Sequence, residues 1–72
     1  MTHEEIEQII STWKERRAET IQVLVSLFER LDKHIEENSK DWIDRDKWRI
    51  LEEARYIALL TQNIADWEQE VI

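Results

Sequence analysis

The chain has 72 residues, a formal net charge of −7 and no glycine, proline or cysteine. That leaves room for one domain without disulfides, and almost none of the residues that build tight turns. The acidic balance excludes direct binding to nucleic acid, which needs Lys and Arg against phosphate, and to anionic membrane surfaces. A hydrophobic fraction of 42% is too high for a disordered tail, and a charged fraction of 38% gives every element a solvated face.

Met1-Thr2-His3-Glu4-Glu5 has neither a basic stretch nor an apolar one, so no secretory signal is expected, and no apolar run reaches the roughly 20 residues of a membrane span. The expected location is cytoplasmic. Thr2 and Glu5 form a capping box, with Thr2 as N-cap and Glu5 reaching back to it, and the acidic first turn suits the positive end of a helix dipole. The first helix is expected over residues 3–37. Ile6, Ile9, Ile10, Trp13, Leu24, Leu27, Phe28, Leu31 and Ile35 fall within about 100° of the helical wheel. Ile21, Val23 and Val25 widen the middle of that stripe beyond what one neighbouring helix can cover.

Residues 38–43 are read as the break. Asn38 suits a left-handed C′ position, and Ser39, Asp41 and Asp44 compete for the next N-cap. Trp42 and Ile43, beside this break, are expected to plug the end of the core. The second helix is expected over residues 44–70. Ile43, Ile50, Ile57, Ile64 and Val71 recur every seven residues, the period of a coiled-coil seam, with Ala54, Ala58, Thr61 and Ala65 beside it. At 1.5 Å per residue the helices would be about 52 and 40 Å long. A short connection makes them antiparallel. The fold class is therefore all-α: residues 1–72 form one two-helix antiparallel hairpin, and two hairpins would pair into a four-helix bundle. A chain this small needs a staple, and oligomerisation is the one left open.

The hairpin gathers residues 1–13 and 60–72 at one end. That end carries Glu4, Glu5, Glu7, Asp66, Glu68 and Glu70 and no Lys or Arg, whereas the turn end is nearly balanced. Repulsion between acidic ends favours an antiparallel homodimer, weakly, because the screening length is about 8 Å at physiological salt. Arg17 and Glu53 lie inside the apolar stripes and out of register within one hairpin, which makes them a candidate interchain pair. Trp48, Arg55 and Leu59 project from the polar face of the second helix. An aromatic, an aliphatic and an Arg on a charged face are a candidate partner-binding patch, since such residues dominate interface hot spots.

His3 and His34 are read as surface histidines, with Glu7 and Glu37 nearby. No catalytic constellation, metal site or cofactor motif assembles from these residues. The sequence is therefore read as a non-enzymatic interaction module or regulator, a homodimeric hairpin whose partner is another protein. A phage- or mobile-element-encoded inhibitor fits the size. The alternatives are an acidic nucleic-acid mimic that blocks a DNA- or RNA-binding protein through the acidic end, or a subunit of a larger helical assembly.

Overall fold

A computed structural model describes residues 1–71; Ile72, the last residue of the expected domain, lies outside them. The described residues form two helices packed side by side, α1 (His3–Glu36) and α2 (Lys40–Val71), in a rod of 53 × 14 × 13 Å.

Helix α1 starts as the sequence predicts. Thr2 is extended (φ −78°, ψ 161°), and its hydroxyl accepts the Glu5 N–H at 3.2 Å, satisfying one of the unpaired donors of the first turn. The Glu5 carboxylate closes the box by accepting from the Thr2 hydroxyl itself, also at 3.2 Å.

Beyond the C-cap Glu37, Asn38 turns the chain out of the helix with a φ of 56°, the left-handed conformation expected of it. The Ser39 N–H returns to the His34 carbonyl at 3.0 Å and the Asn38 N–H to the Ile35 carbonyl at 3.1 Å. Together these bonds make a Schellman motif, which satisfies carbonyls that the helix end would leave bare.

The break is shorter than expected. The Ile43 N–H already bonds the Ser39 carbonyl at 2.9 Å, so α2 begins at Lys40, four residues before Asp44. Asp41 and Asp44 then lie within the opening turns, where carboxylates favour the positive end of the dipole without serving as caps. Ile43 is half-buried, but Trp42 is exposed and does not plug the core.

The buried and half-buried residues trace one seam along each helix. On α1 they are Ile6, Ile10, Trp13, Arg17, Thr20, Leu24, Leu27, Leu31 and His34, with Ile9 beside them. On α2 they are Ile43, Asp46, Ile50, Glu53, Ile57, Leu60, Ile64, Trp67 and Val71. Steps of three and four alternate throughout, the spacing of a coiled coil. The seven-residue series from Ile43 to Val71 is half of the α2 seam. The other half is Asp46, Glu53, Leu60 and Trp67, two of them carboxylates.

The buried apolar side chains are Ile10, Leu27, Leu60 and Ile64, and Leu60 is the most completely covered. One helix cannot cover the wide stripe of the other, and Ile21, Val25, Phe28, Ile35 and Leu51 remain exposed.

One contact and one groove define the sides of the rod. Lys14 Nζ lies 3.5 Å from a Glu68 carboxylate oxygen, which puts the flank of α1 that carries Lys14 on the same side as the flank of α2 that carries Glu68. On the opposite side Leu27, Arg30, Trp42, Arg45, Asp46 and Arg49 line a shallow groove of about 180 Å³.

Candidate interaction site

Trp48, Arg55 and Leu59 lie on the outward face of α2. Trp48 is 60% exposed and Leu59 63%, the largest values after Met1 among the large apolar side chains of the described residues. Their positions explain this. Trp48 follows the seam residue Asp46 by two and precedes Ile50 by two, so at 100° per residue it points almost directly away from α1. Leu59 lies one step off the seam residue Leu60, on the same outer face. Trp48, Glu52, Arg55 and Leu59 follow steps of four, three and four, and so form a continuous stripe.

The hairpin brings the six acidic-end residues together. They are less bare than the sequence implies, because Lys14, one residue past the stretch counted, pairs with Glu68. His3 Nε2 lies 3.1 Å from Glu7, and the Gln62 amide donates to Asp66 at 2.9 Å.

Arg17 and Glu53 both sit half-buried on the seam and do not meet within the chain. The Arg17 guanidinium donates to the Thr61 hydroxyl at 3.3 Å, and Glu53 lies 3.7 Å from Arg49 one turn earlier.

A cluster that the sequence reading missed closes the turn end. His34 is no surface histidine: its side chain is 16% exposed, and its Nδ1 hydrogen-bonds Asp46, which is 4% exposed. The His34 ring stacks on Trp42 with centroids 5.5 Å apart and planes 22° apart, and the Arg45 guanidinium lies over the same Trp42 ring at 5.1 Å. The available signal was the seam spacing: His34 and Asp46 both continue the alternating steps of three and four.

Near the N-terminus a groove of about 410 Å³ runs along Ile9 and Trp13, and Arg16 lies over the Trp13 ring at 5.5 Å. Among the described residues no three His, Cys, Asp or Glu side chains converge as metal ligands would, and no helix is long and apolar enough to cross a membrane. Compared with protein-family models, curated proteins and solved structures, the chain matches none.

Proposed function

We propose that this protein is a non-enzymatic interaction module, a homodimeric helical hairpin that binds another protein through the outer stripe of α2. The observation that carries the reading is the exposure of Trp48 and Leu59 on the face of α2 turned away from the seam. A Trp and a Leu about 16 Å apart along a helix, with Arg55 between them, are the anchor types that dominate binding energy. Glu52 and Arg55 on the same stripe supply a polar setting that fixes partner orientation.

The test is affinity capture from the source cells with wild-type and Trp48→Ala protein, followed by measured affinity for each captured species. Trp48→Ala should abolish the specific complex and leave the circular dichroism spectrum unchanged. A complex that survives Trp48→Ala and Leu59→Ala unaltered overturns the assignment.

The acidic end favours a second reading, in which Glu4, Glu5, Glu7, Asp66, Glu68 and Glu70 imitate phosphates for a nucleic-acid-binding partner. Salt separates the two. A mimic's affinity should fall steeply between 50 and 200 mM salt, as charge-dominated contacts do, whereas a Trp-anchored complex should change little.

A further inference from the structure

The side of the rod that carries Lys14 and Glu68 is also its most apolar side. Lys14, Ile21, Phe28 and Ile35 recur every seven residues and share that flank of α1, with Ala18, Val25 and Asp32 one turn further out. On α2 the same side carries Lys47, Ala54, Thr61 and Glu68, with Leu51, Ala58 and Ala65 further out. Between Ala18 and Phe28 on one helix, and between Leu51 and Ala65 on the other, the residues of this face carry no charge, and the cation that reaches it is the Arg17 guanidinium, which comes from the seam to the Thr61 hydroxyl. All nine of its residues are exposed.

The two uncharged stretches are centred at the same height. The midpoint of Ala18–Phe28 is residue 23, and that of Leu51–Ala65 is residue 58. The register fixed by the His34–Asp46 and Lys14–Glu68 contacts sets residue 23 level with residues 57–59. The face also tapers. Its bulky residues, Phe28 and Leu51, lie towards the turn, and its small ones, Ala18 and Ala65, lie towards the termini.

We infer that this face is covered by a second copy of the chain, turned end for end about a two-fold axis at the level of Ala58. The inference rests on the homodimer in the function proposed above, and names its surface and orientation. The axis sets Phe28 on Ala18 of the second copy, Ile21 on Val25, Leu51 on Ala65, Ala54 on Thr61, and Ala58 on itself. The two bulkiest side chains, Phe28 and Leu51, each meet an alanine, and the levels between pair residues of similar size, with the smallest at Ala58, as close-packed layers require. A like-end pairing would instead crowd Phe28 and Leu51 together at one end and leave Ala18 and Ala65 with a gap at the other.

Charge agrees with the packing. Nine residues either side of the α1 midpoint stand Lys14 and Asp32, which the axis brings together. On α2 Lys47 meets Glu68 of the second copy. Each end of the apolar stretch is then closed by two lysines and two carboxylates in alternation. These boundary charges would also fit a like-end pair, so the taper decides the orientation. The acidic termini decide it the same way, because end-for-end pairing keeps them at opposite ends of the bundle. Exposed Ile35 comes level with Ser11 of the second copy, beside a groove of about 340 Å³ lined by Glu7, Ile10, Glu68 and Val71.

From Lys14 to Asp32 the contact is about 27 Å long. At two helices wide it buries on the order of 1,000 Å² in total, close to the lower limit for a stable interface.

The chain has no cysteine, so one introduced cysteine reports one contact. Under mild oxidation Ala58→Cys should link to its own copy, and Val23→Cys, on the opposite side, should not. Mixed Ala18→Cys and Phe28→Cys chains should link to each other more than either links to itself. In sedimentation Val25→Glu should weaken association about tenfold or more and Val23→Glu about twofold at most, since only the former would bury a carboxylate in the interface. The cysteine variants decide the matter even if Val25→Glu loses helicity. A wild-type chain that stays monomeric at about 100 μM, a concentration far above micromolar affinity, overturns both this inference and the homodimer. A wild-type dimer in which Ala58→Cys fails to link and Val25→Glu has no effect overturns the face and leaves the homodimer standing.

Discussion

The two halves of the hairpin are held by different physics. The termini half is a seam of aliphatic burial, with Ile10, Leu60 and Ile64 out of solvent and Arg17 spanning to Thr61 at its edge. The turn half has Leu27 as its one buried apolar side chain and relies on a hydrogen-bonded His34–Asp46 pair, a Trp42 stack and a locked Asn38 turn. Apolar contacts are non-directional and tolerate slippage along a seam, whereas a buried polar pair fits at one alignment. The contrast therefore assigns stability to the termini half and register to the turn half.

The largest expected effect tests the first assignment. Leu60 is 1% exposed, and Leu60→Ala removes its contacts and leaves a cavity, at a cost of about 2–4 kcal/mol. Denaturant melts should show the lower midpoint. Register should be retained, read as an unchanged coupling between labels at Lys14 and Glu68. Asp46→Ala should act differently. It strands the partly buried His34 ring, at a cost of about 1–3 kcal/mol, and should broaden or split the resonances of residues on both sides of the turn. The double change His34→Leu with Asp46→Leu restores an apolar layer, so it should recover stability while the register remains heterogeneous. If that double variant held a single register, the specifying role of the pair would be refuted.

Hydrogen exchange compares the halves residue by residue. The Asn38 turn and the His34–Asp46 bond close the turn end, so amides of residues 30–34 and 46–50 should be protected although few apolar side chains are buried there, and Asp46→Ala should lower that protection more than the protection around Ile10 and Ile64.

How much of this could be read from the sequence follows from the same contrast. Thr2 and Asn38 announce helix ends through their own side-chain chemistry, and both act as read. Ile43, Ile50, Ile57, Ile64 and Val71 announce a seam because each is apolar at a fixed period. Asp46 and His34 were missed because a charged or polar residue at a seam position looks like a solvent-facing one until its partner is known, and that partner lies across the turn. Arg17 and Glu53 were seen to break their stripes for the same reason, but their contacts with Thr61 and Arg49 depend on the register and side-chain reach of a particular hairpin. The early start of α2 was hidden by Asp41 and Asp44, which have capping side chains but fall inside the helix. The outer stripe of Trp48, Arg55 and Leu59 was legible because it needs one helix only. The apolar side of the rod was not, since knowing which flank of α1 shares a side with which flank of α2 requires a contact such as Lys14–Glu68.

The next step down in size is the turn itself. At φ 56° a side chain with a Cβ crowds the following carbonyl, a strain of about 1–2 kcal/mol that Asn relieves in part through local hydrogen bonding. Asn38→Ala should therefore destabilise by about 1 kcal/mol, and Asn38→Gly should be neutral or slightly stabilising, the two changes differing in backbone preference alone.

The smallest effect belongs to the Lys14–Glu68 pair, and it discriminates best between the halves and the copies. Both side chains are half exposed, so within one hairpin the pair contributes no more than about 0.5 kcal/mol and is screened by salt. Lys14→Gln should thus leave the melting of the isolated hairpin almost unchanged. In the end-for-end dimer the same lysine also faces Asp32 of the second copy, so Lys14→Gln should weaken association while leaving helicity intact. Combining it with Asp32→Asn should weaken association less than the two separate effects added together, because the second change removes a carboxylate already without its partner. Additive effects on association would mean that the two residues do not face each other, and would exclude the end-for-end pairing even if the dimer itself were present.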